Sequence, residues 1–211
     1  MTDLQALYKA VIEGNKKLAE ETVKQALEEG ANPEDLLQKY MIPAIDEVGR
    51  LFEANEYFVP ELLISARAMK AALELIRPKL VETGAKPVGK VVIGTVRGDL
   101  HDIGKNLVAA MLEGGGFEVI DLGVDVSPEK FVETAKERDA QIIAMSALLT
   151  TTMPGMKTTV ETLEKAGLKG KIKTMIGGAP VTQRYADDIG ADGFSDNASG
   201  AVRVARQLVG A

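Results

Sequence analysis

The chain has no cysteine, no tryptophan and a single histidine among its 211 residues. Each shortage excludes chemistry. Without cysteine there is no disulfide framework, no thiolate zinc site, no iron–sulfur cluster and no cysteine nucleophile. One histidine rules out a multi-histidine metal site and a two-histidine catalytic pair within one chain. Basic charge is also scarce: 25 Lys+Arg stand against 31 Asp+Glu, a formal net charge of −6. That balance gives no overall electrostatic case for nucleic acid or an anionic membrane as partner. No apolar run approaches the roughly 20 residues of a membrane span, and the opening MTDLQALYKAVIEGN lacks the basic, then apolar, then small-residue order of a signal peptide. With the missing cysteine, these features point to a soluble, cytoplasmic protein. Its 45% apolar content allows one or two proper cores.

Glycine usage divides what is present. Residues 1–89 hold 5 of the 21 glycines and residues 90–211 hold 16. The first part reads as helix. Leu4, Leu7, Tyr8, Val11 and Ile12 keep a 3/4 spacing that Gly14-Asn15 stops; Leu18, Thr22, Val23, Ala26 and Leu27 resume it as far as Gly30. Asn32-Pro33-Glu34-Asp35 combines a capping side chain, a first-turn proline and first-turn acids ahead of Leu36, Leu37, Tyr40, Met41, Ile45, Val48 and Phe52. A last helix is expected from about Pro60 to Val81, with Pro78 ending or kinking it. An antiparallel four-helix bundle over residues 1–86 follows.

From residue 87 onward the pattern alternates. Apolar runs at Val91–Val96, Glu118–Leu122, Gln141–Ser146 and Lys171–Ile176, with a weaker one at Asp192–Ser195, read as strands. Helical stretches near Gly104–Glu113, Pro128–Arg138, Pro154–Ala166, Thr182–Asp188 and Ala198–Leu208 separate them. Such alternation predicts a Rossmann-like, flavodoxin-like domain over 87–211: a five-stranded parallel sheet covered on both faces, joined to the bundle by the linker Glu82–Gly89.

In an open parallel sheet, ligands bind beyond the carboxyl ends of the strands where strand order reverses. Three loops then matter: Val96–Gly104, Ser146–Thr152 and Ile176–Pro180. For the common order 2-1-3-4-5 the first and third strands flank the switch, and the sole histidine, His101, lies on that rim. A solitary histidine is ordinarily a surface or core residue; its place in this loop reverses that expectation. Asp99, two residues earlier, can accept the ring Nδ1–H and leave Nε2 free as metal ligand or base. Gly104 lets the following helix start and pack closely. Ser146 and Thr150–Thr152 offer hydroxyls, and Gly177-Gly178 a bare backbone for a bulky ligand. One imidazole cannot hold a metal unaided, but it can be the axial ligand of a metal already held by a macrocycle. The methionines fall mostly at core spacing; Met153 and Met156, just after the threonines, are the two to check for cofactor contact.

The run Gly98-Asp99-Leu100-His101-Asp102-Ile103-Gly104-Lys105-Asn106 resembles the Asp-x-His-x-x-Gly motif of cobalamin-binding domains. Ser146-x-Leu148 follows 45 residues after the histidine, then Gly177-Gly178, in the family's order. Upstream, Pro43-Ala44 through Val48-Gly49-Arg50-Leu51-Phe52, then Tyr57-Phe58-Val59-Pro60-Glu61-Leu62 and Ser65-Ala66, is similar to the helical cap of cobalamin-dependent methionine synthase. It is equally like the small corrinoid proteins of methyltransferase systems. The resemblance covers nearly the whole chain. It implies that His101 replaces the cofactor's own base as lower axial cobalt ligand, that Asp99 hydrogen-bonds the histidine, and that Thr152 extends the relay. Asp102, Ile103, Gly104, Ser146, Leu148, Thr150, Gly177 and Gly178 would line the cofactor site, with Phe52 and Val59 as cap residues over the upper cobalt face.

The function so implied is a methyl carrier holding cobalamin or a related corrinoid, methylcobalamin when loaded. It would shuttle a methyl group between a substrate-specific methyltransferase and a methyl-accepting methyltransferase, with a reductive activation protein as a further partner and no catalysis without them. Two alternatives share the histidine motif. The cobalamin-binding subunit of an adenosylcobalamin mutase would need a substrate-bearing catalytic domain. A cobalamin-based light sensor would need a DNA-reading module, and residues 1–89 carry 11 basic against 15 acidic residues.

Overall fold

The computed structural model describes residues 2–84 and 86–211; Ala85, inside the expected linker, and Met1 lie outside the described residues. The chain divides into two compact units. One runs through Pro87 and includes Glu113–Gly116; the other comprises Val88–Leu112 and Phe117–Ala211.

The first unit is helical. Helix α1 (Leu4–Ile12) is capped by Asp3 and α2 (Lys16–Glu28) by Asn15, whose side chain accepts from Leu18 N–H. Gly14 makes the turn between them in the left-handed region. Asn32 caps α3 (Pro33–Leu36) by accepting from Glu34 N–H at 2.9 Å. The helix continues without a break through a π-helical turn (Leu37–Met41) into α4 (Ile42–Glu53). Pro43 explains that turn: it has no N–H to donate, and its ring crowds the Lys39 carbonyl one turn back, so the ladder widens locally. Helix α5 (Val59–Glu82) starts with Glu61 reaching back to the Phe58 N–H at 2.9 Å. Pro78 neither ends nor bounds α5, which runs one further turn past it. The lost bond falls on the carbonyl of Glu74, an exposed residue one turn before Pro78. Leu7, Val11, Val23, Met41, Ile45, Leu62, Met69 and Ile76 form the buried seam. Ser65 Oγ and Tyr57 Oη both donate to the Ile12 carbonyl, at 2.8 and 3.3 Å, tying α5 and its approach to the end of α1.

The second unit alternates strand and helix: β1 (Lys90–Thr95), α6 (Ile103–Gly114), β2 (Glu118–Asp121), α7 (Pro128–Glu137), β3 (Ile142–Ser146), α8 (Pro154–Lys165), β4 (Lys173–Gly177), α9 (Gln183–Ile189), β5 (Gly193–Phe194) and α10 (Ala198–Val209). The strands form one sheet in the order β2-β1-β3-β4-β5, every pair parallel. Val91, Val92, Ile93, Ile142, Ile143, Ala144, Met175 and Ile176 are buried on both sides of the strands, as a sheet covered by two helical layers requires. Phe131 of α7, fully buried, packs with Val92, Ile143 and Met156 in one such layer. The register decides where function can sit. Thr95 pairs with Ser146 and Ser146 with Gly177, so three strands end in one row and their loops emerge side by side. The order reverses between β1 and β3, which places the rim crevice there.

Candidate functional site

Asp99 is the centre of the rim. It sits in the loop after β1, fully buried, and its carboxylate gathers donors from two loops. On one side Oδ1 bonds the His101 ring Nδ1 at 2.7 Å and accepts the His101 backbone N–H at 3.1 Å. On the other, Oδ2 accepts from Leu148 N–H at 2.8 Å, Leu149 N–H at 3.4 Å and Thr152 Oγ1 at 2.7 Å. Burial by itself raises a carboxyl pKa; here the hydrogen bonds from Thr152, His101 and Leu148 outweigh it and hold Asp99 far below the usual carboxylate range. At neutral pH Asp99 is therefore an acceptor only, so ring Nδ1 is the donor of the pair and Nε2 is the ring nitrogen turned away from the carboxylate. The ring itself is half in solvent, its side chain 51% exposed. The loop is steadied from β1 as well, since Thr95 Oγ1 donates to the His101 carbonyl at 2.8 Å.

Asp102 is exposed and accepts from Asn106 Nδ2 at 3.0 Å, one turn along α6. Of the three consecutive threonines it is Thr152 that reaches Asp99; Thr150 is exposed. Ser146 ends β3, and its carbonyl accepts from Val96 N–H at 3.0 Å. Phe52 and Val59 belong to the helical unit, at the end of α4 and the start of α5. Met156 is fully buried in the sheet core, and the Met153 carbonyl takes the Tyr185 hydroxyl at 2.8 Å. Both act as packing residues here.

Two glycine readings change. A Cβ on Gly178 would lie 2.0 Å from the Ala147 carbonyl oxygen, and its φ is +132°. The approach of its own chain, before any ligand, demands glycine there. Gly104 behaves oppositely: a Cβ on it would meet nothing within 4 Å, so helix packing does not require it. It leaves open space beside His101.

The rim suits a large, partly apolar, metal-bearing ring. It offers one free imidazole nitrogen, and around it stand apolar side chains the fold leaves in water: Leu100 at 71% and Ile103 at 81% exposure, with Leu148 and Leu149 less so. Among the described residues no group of three or more acidic or histidine side chains could hold a metal ion alone, so a metal at His101 must bring its other ligands. No helix among them is long and apolar enough to cross a membrane.

Sequence reasoning missed Asp125 and the Lys105–Asp121 pair. Lys105, on α6, is buried and its ammonium bonds Asp121 at the end of β2 and Asn106 Oδ1. The available signal was the pair of aspartates flanking Gly123 in the loop after β2.

A parallel α/β domain presenting one carboxylate-backed histidine at its switch point, in a chain that also carries a helical unit, defines a cofactor-binding protein of the cobalamin class. Comparison with known proteins gives the same answer. Residues 89–203 match the model of a B12 binding domain, and residues 3–77 match a second model of the same description. The chain is 41% identical to dimethylamine corrinoid protein 3 of Methanosarcina acetivorans over 212 residues, covering 99% of this chain and 100% of that one. It is 46% identical to trimethylamine corrinoid protein 1 of Methanosarcina mazei, covering 92% and 90%. Among solved structures it resembles a chain of the methanol:cobalamin methyltransferase complex of Methanosarcina barkeri, with TM-score 0.85 and 31% identity over 98% of this chain and 80% of that one. This chain belongs to the cobalamin-binding corrinoid proteins of methyltransferase systems.

Proposed function

We propose that this corrinoid protein is a methyl carrier in which His101 Nε2 is the lower axial cobalt ligand, replacing the cofactor's own base, and which serves a methyl-donating and a methyl-accepting methyltransferase in turn. The observation that carries the reading is the His101–Asp99 pair: a half-exposed ring whose Nδ1 is tied at 2.7 Å to a fully buried carboxylate. The bound corrinoid would supply a cobalt centre that accepts and releases a methyl group. The chain's own residues do the rest. Asp99 fixes the tautomer and ring orientation of His101. Thr152 and the Leu148 N–H keep Asp99 ionised, so the carboxylate stays a hydrogen-bond acceptor whether or not Nε2 is engaged. Leu100, Ile103, Leu148 and Leu149 would offer the corrinoid apolar contact, and the open space at Gly104 would leave room for it. Gly177, Gly178 and Ser146 line the neighbouring strand ends.

Relatives named for dimethylamine and trimethylamine, and a structural relative from a methanol complex, all match the chain over most of its length. That pattern supports donor selection by the partner enzymes. The test is reconstitution with cob(II)inamide, a corrinoid without a nitrogen base of its own, and electron paramagnetic resonance. The protein should show nitrogen superhyperfine splitting from one imidazole, and His101→Ala should lose it while remaining folded. An unchanged spectrum in His101→Ala would remove the ligand assignment.

A further inference from the structure

The loop after β2 grips the histidine loop from the side away from Thr152. Asp125 has φ +54°, a left-handed conformation that is uncommon for a residue with a side chain and costs about 1 kcal/mol. In that conformation it makes two bonds of opposite sense. Its N–H donates to the Asp99 carbonyl at 3.0 Å, and its Oδ1 accepts the Gly98 N–H at 2.7 Å. Gly98 is itself left-handed, φ +83°, which turns its N–H toward that carboxylate. The loop is anchored in turn. Thr95 N–H donates to the Gly123 carbonyl at 2.9 Å and Val126 N–H to the Thr95 carbonyl at 3.0 Å, extending the sheet pairing beyond β1. Asp121 Oδ1 accepts the Gly123 N–H at 2.8 Å, and its other oxygen pairs with the buried Lys105 ammonium.

We propose that Asp125 is a positioning residue for His101: its reciprocal bonds to Gly98 and Asp99 set the height at which the imidazole stands on the rim. The inference rests on the reading of His101 as cobalt ligand. Leu148, Leu149 and Thr152 hold the Asp99 side chain from the β3 side, and Thr95 holds the His101 carbonyl from β1, but none of these holds the Gly98 N–H or the Asp99 carbonyl. Asp125 pins that backbone at two successive residues. A metal–nitrogen bond tolerates displacements of only about 0.2 Å, so a loop that wanders by more presents its ligand poorly even when the ligand is intact.

Two variants separate positioning from mere stability. Asp125→Gly removes an exposed carboxylate with its bond to Gly98 and relieves the left-handed strain; the two effects offset, so the apo-protein should keep its urea midpoint. Asp125→Asn keeps an Oδ1 acceptor and tolerates the same φ. With cob(II)inamide, Asp125→Gly should bind about tenfold more weakly, the scale of one lost hydrogen bond to a charged group. It should also lose part of the nitrogen splitting, and Asp125→Asn should restore both. If Asp125→Gly matches the unaltered protein in affinity and splitting while His101→Ala loses the splitting, the positioning role is overturned and the ligand reading stands. If His101→Ala keeps the splitting, both fall. A loss of affinity that simply follows a loss of urea midpoint in the two variants also overturns the positioning role.

Discussion

Thr152→Val tests the electrostatic centre of the rim without any cofactor. Valine conserves the shape of threonine and removes one hydroxyl, the donor that reaches Asp99 Oδ2 at 2.7 Å. That oxygen would retain Leu148 N–H at 2.8 Å and Leu149 N–H at 3.4 Å, the second too long to compensate. A hydrogen bond to a buried charge contributes about 1.5–3 kcal/mol, and the folded protein should lose that amount at about pH 7, measured by urea denaturation. The pH dependence follows from Asp99. Because its folded pKa is depressed, its contribution is fully present above the unfolded value of about 3.9 and is lost as pH falls through the lower folded value. Removing Thr152 lets burial raise the folded pKa, so the acid limb of the stability curve should move to higher pH. Once Asp99 is protonated in both proteins, the difference between them should shrink to that of a neutral hydrogen bond, about 1 kcal/mol. Thr152→Ser should recover most of the loss. Equal stability of Thr152→Val and the unaltered protein, within about 0.5 kcal/mol at both neutral and acid pH, would refute the reasoning.

The glycines of the rim make two opposed predictions. Gly178→Ala places a methyl group against the Ala147 carbonyl at a φ hostile to side chains, and should destabilise the apo-protein by roughly 2–4 kcal/mol in urea unfolding. Gly104→Ala, with open space around the new methyl group and a helical position to occupy, should leave apo stability unchanged or raise it by up to about 1 kcal/mol. Spectroscopic titration with hydroxocobalamin should nonetheless show weaker binding, because the methyl group enters the space left beside His101.

Local rules account for much of what was legible. Caps such as Asn32, with Pro33 and Glu34 behind it, act within one turn, and strand alternation with helices is a property of consecutive residues. The elements therefore match the reading to within two residues at each end. Pro78 shows the limit of such rules, because a proline near the end of a long helix costs little once its lost partner is exposed to water. The same limit applies to Gly178. A glycine pair after a strand reads as room for a ligand, but the neighbouring β3 chain at Ala147 makes the demand.

The sequence by itself determined the two-part grammar of the chain, the sheet order expected of its alternation, and the short-range pair Asp99–His101, since two residues of spacing suffice for that bond. Only the tertiary structure decided what keeps the pair working. Leu148 and Thr152 reach Asp99 from about 50 residues away, and Asp125 reaches Gly98 across a separation of 27. The physical reason is that a buried carboxylate stays ionised only where donors converge on it. Convergence is a property of three strands ending in one row, which no stretch of consecutive residues displays.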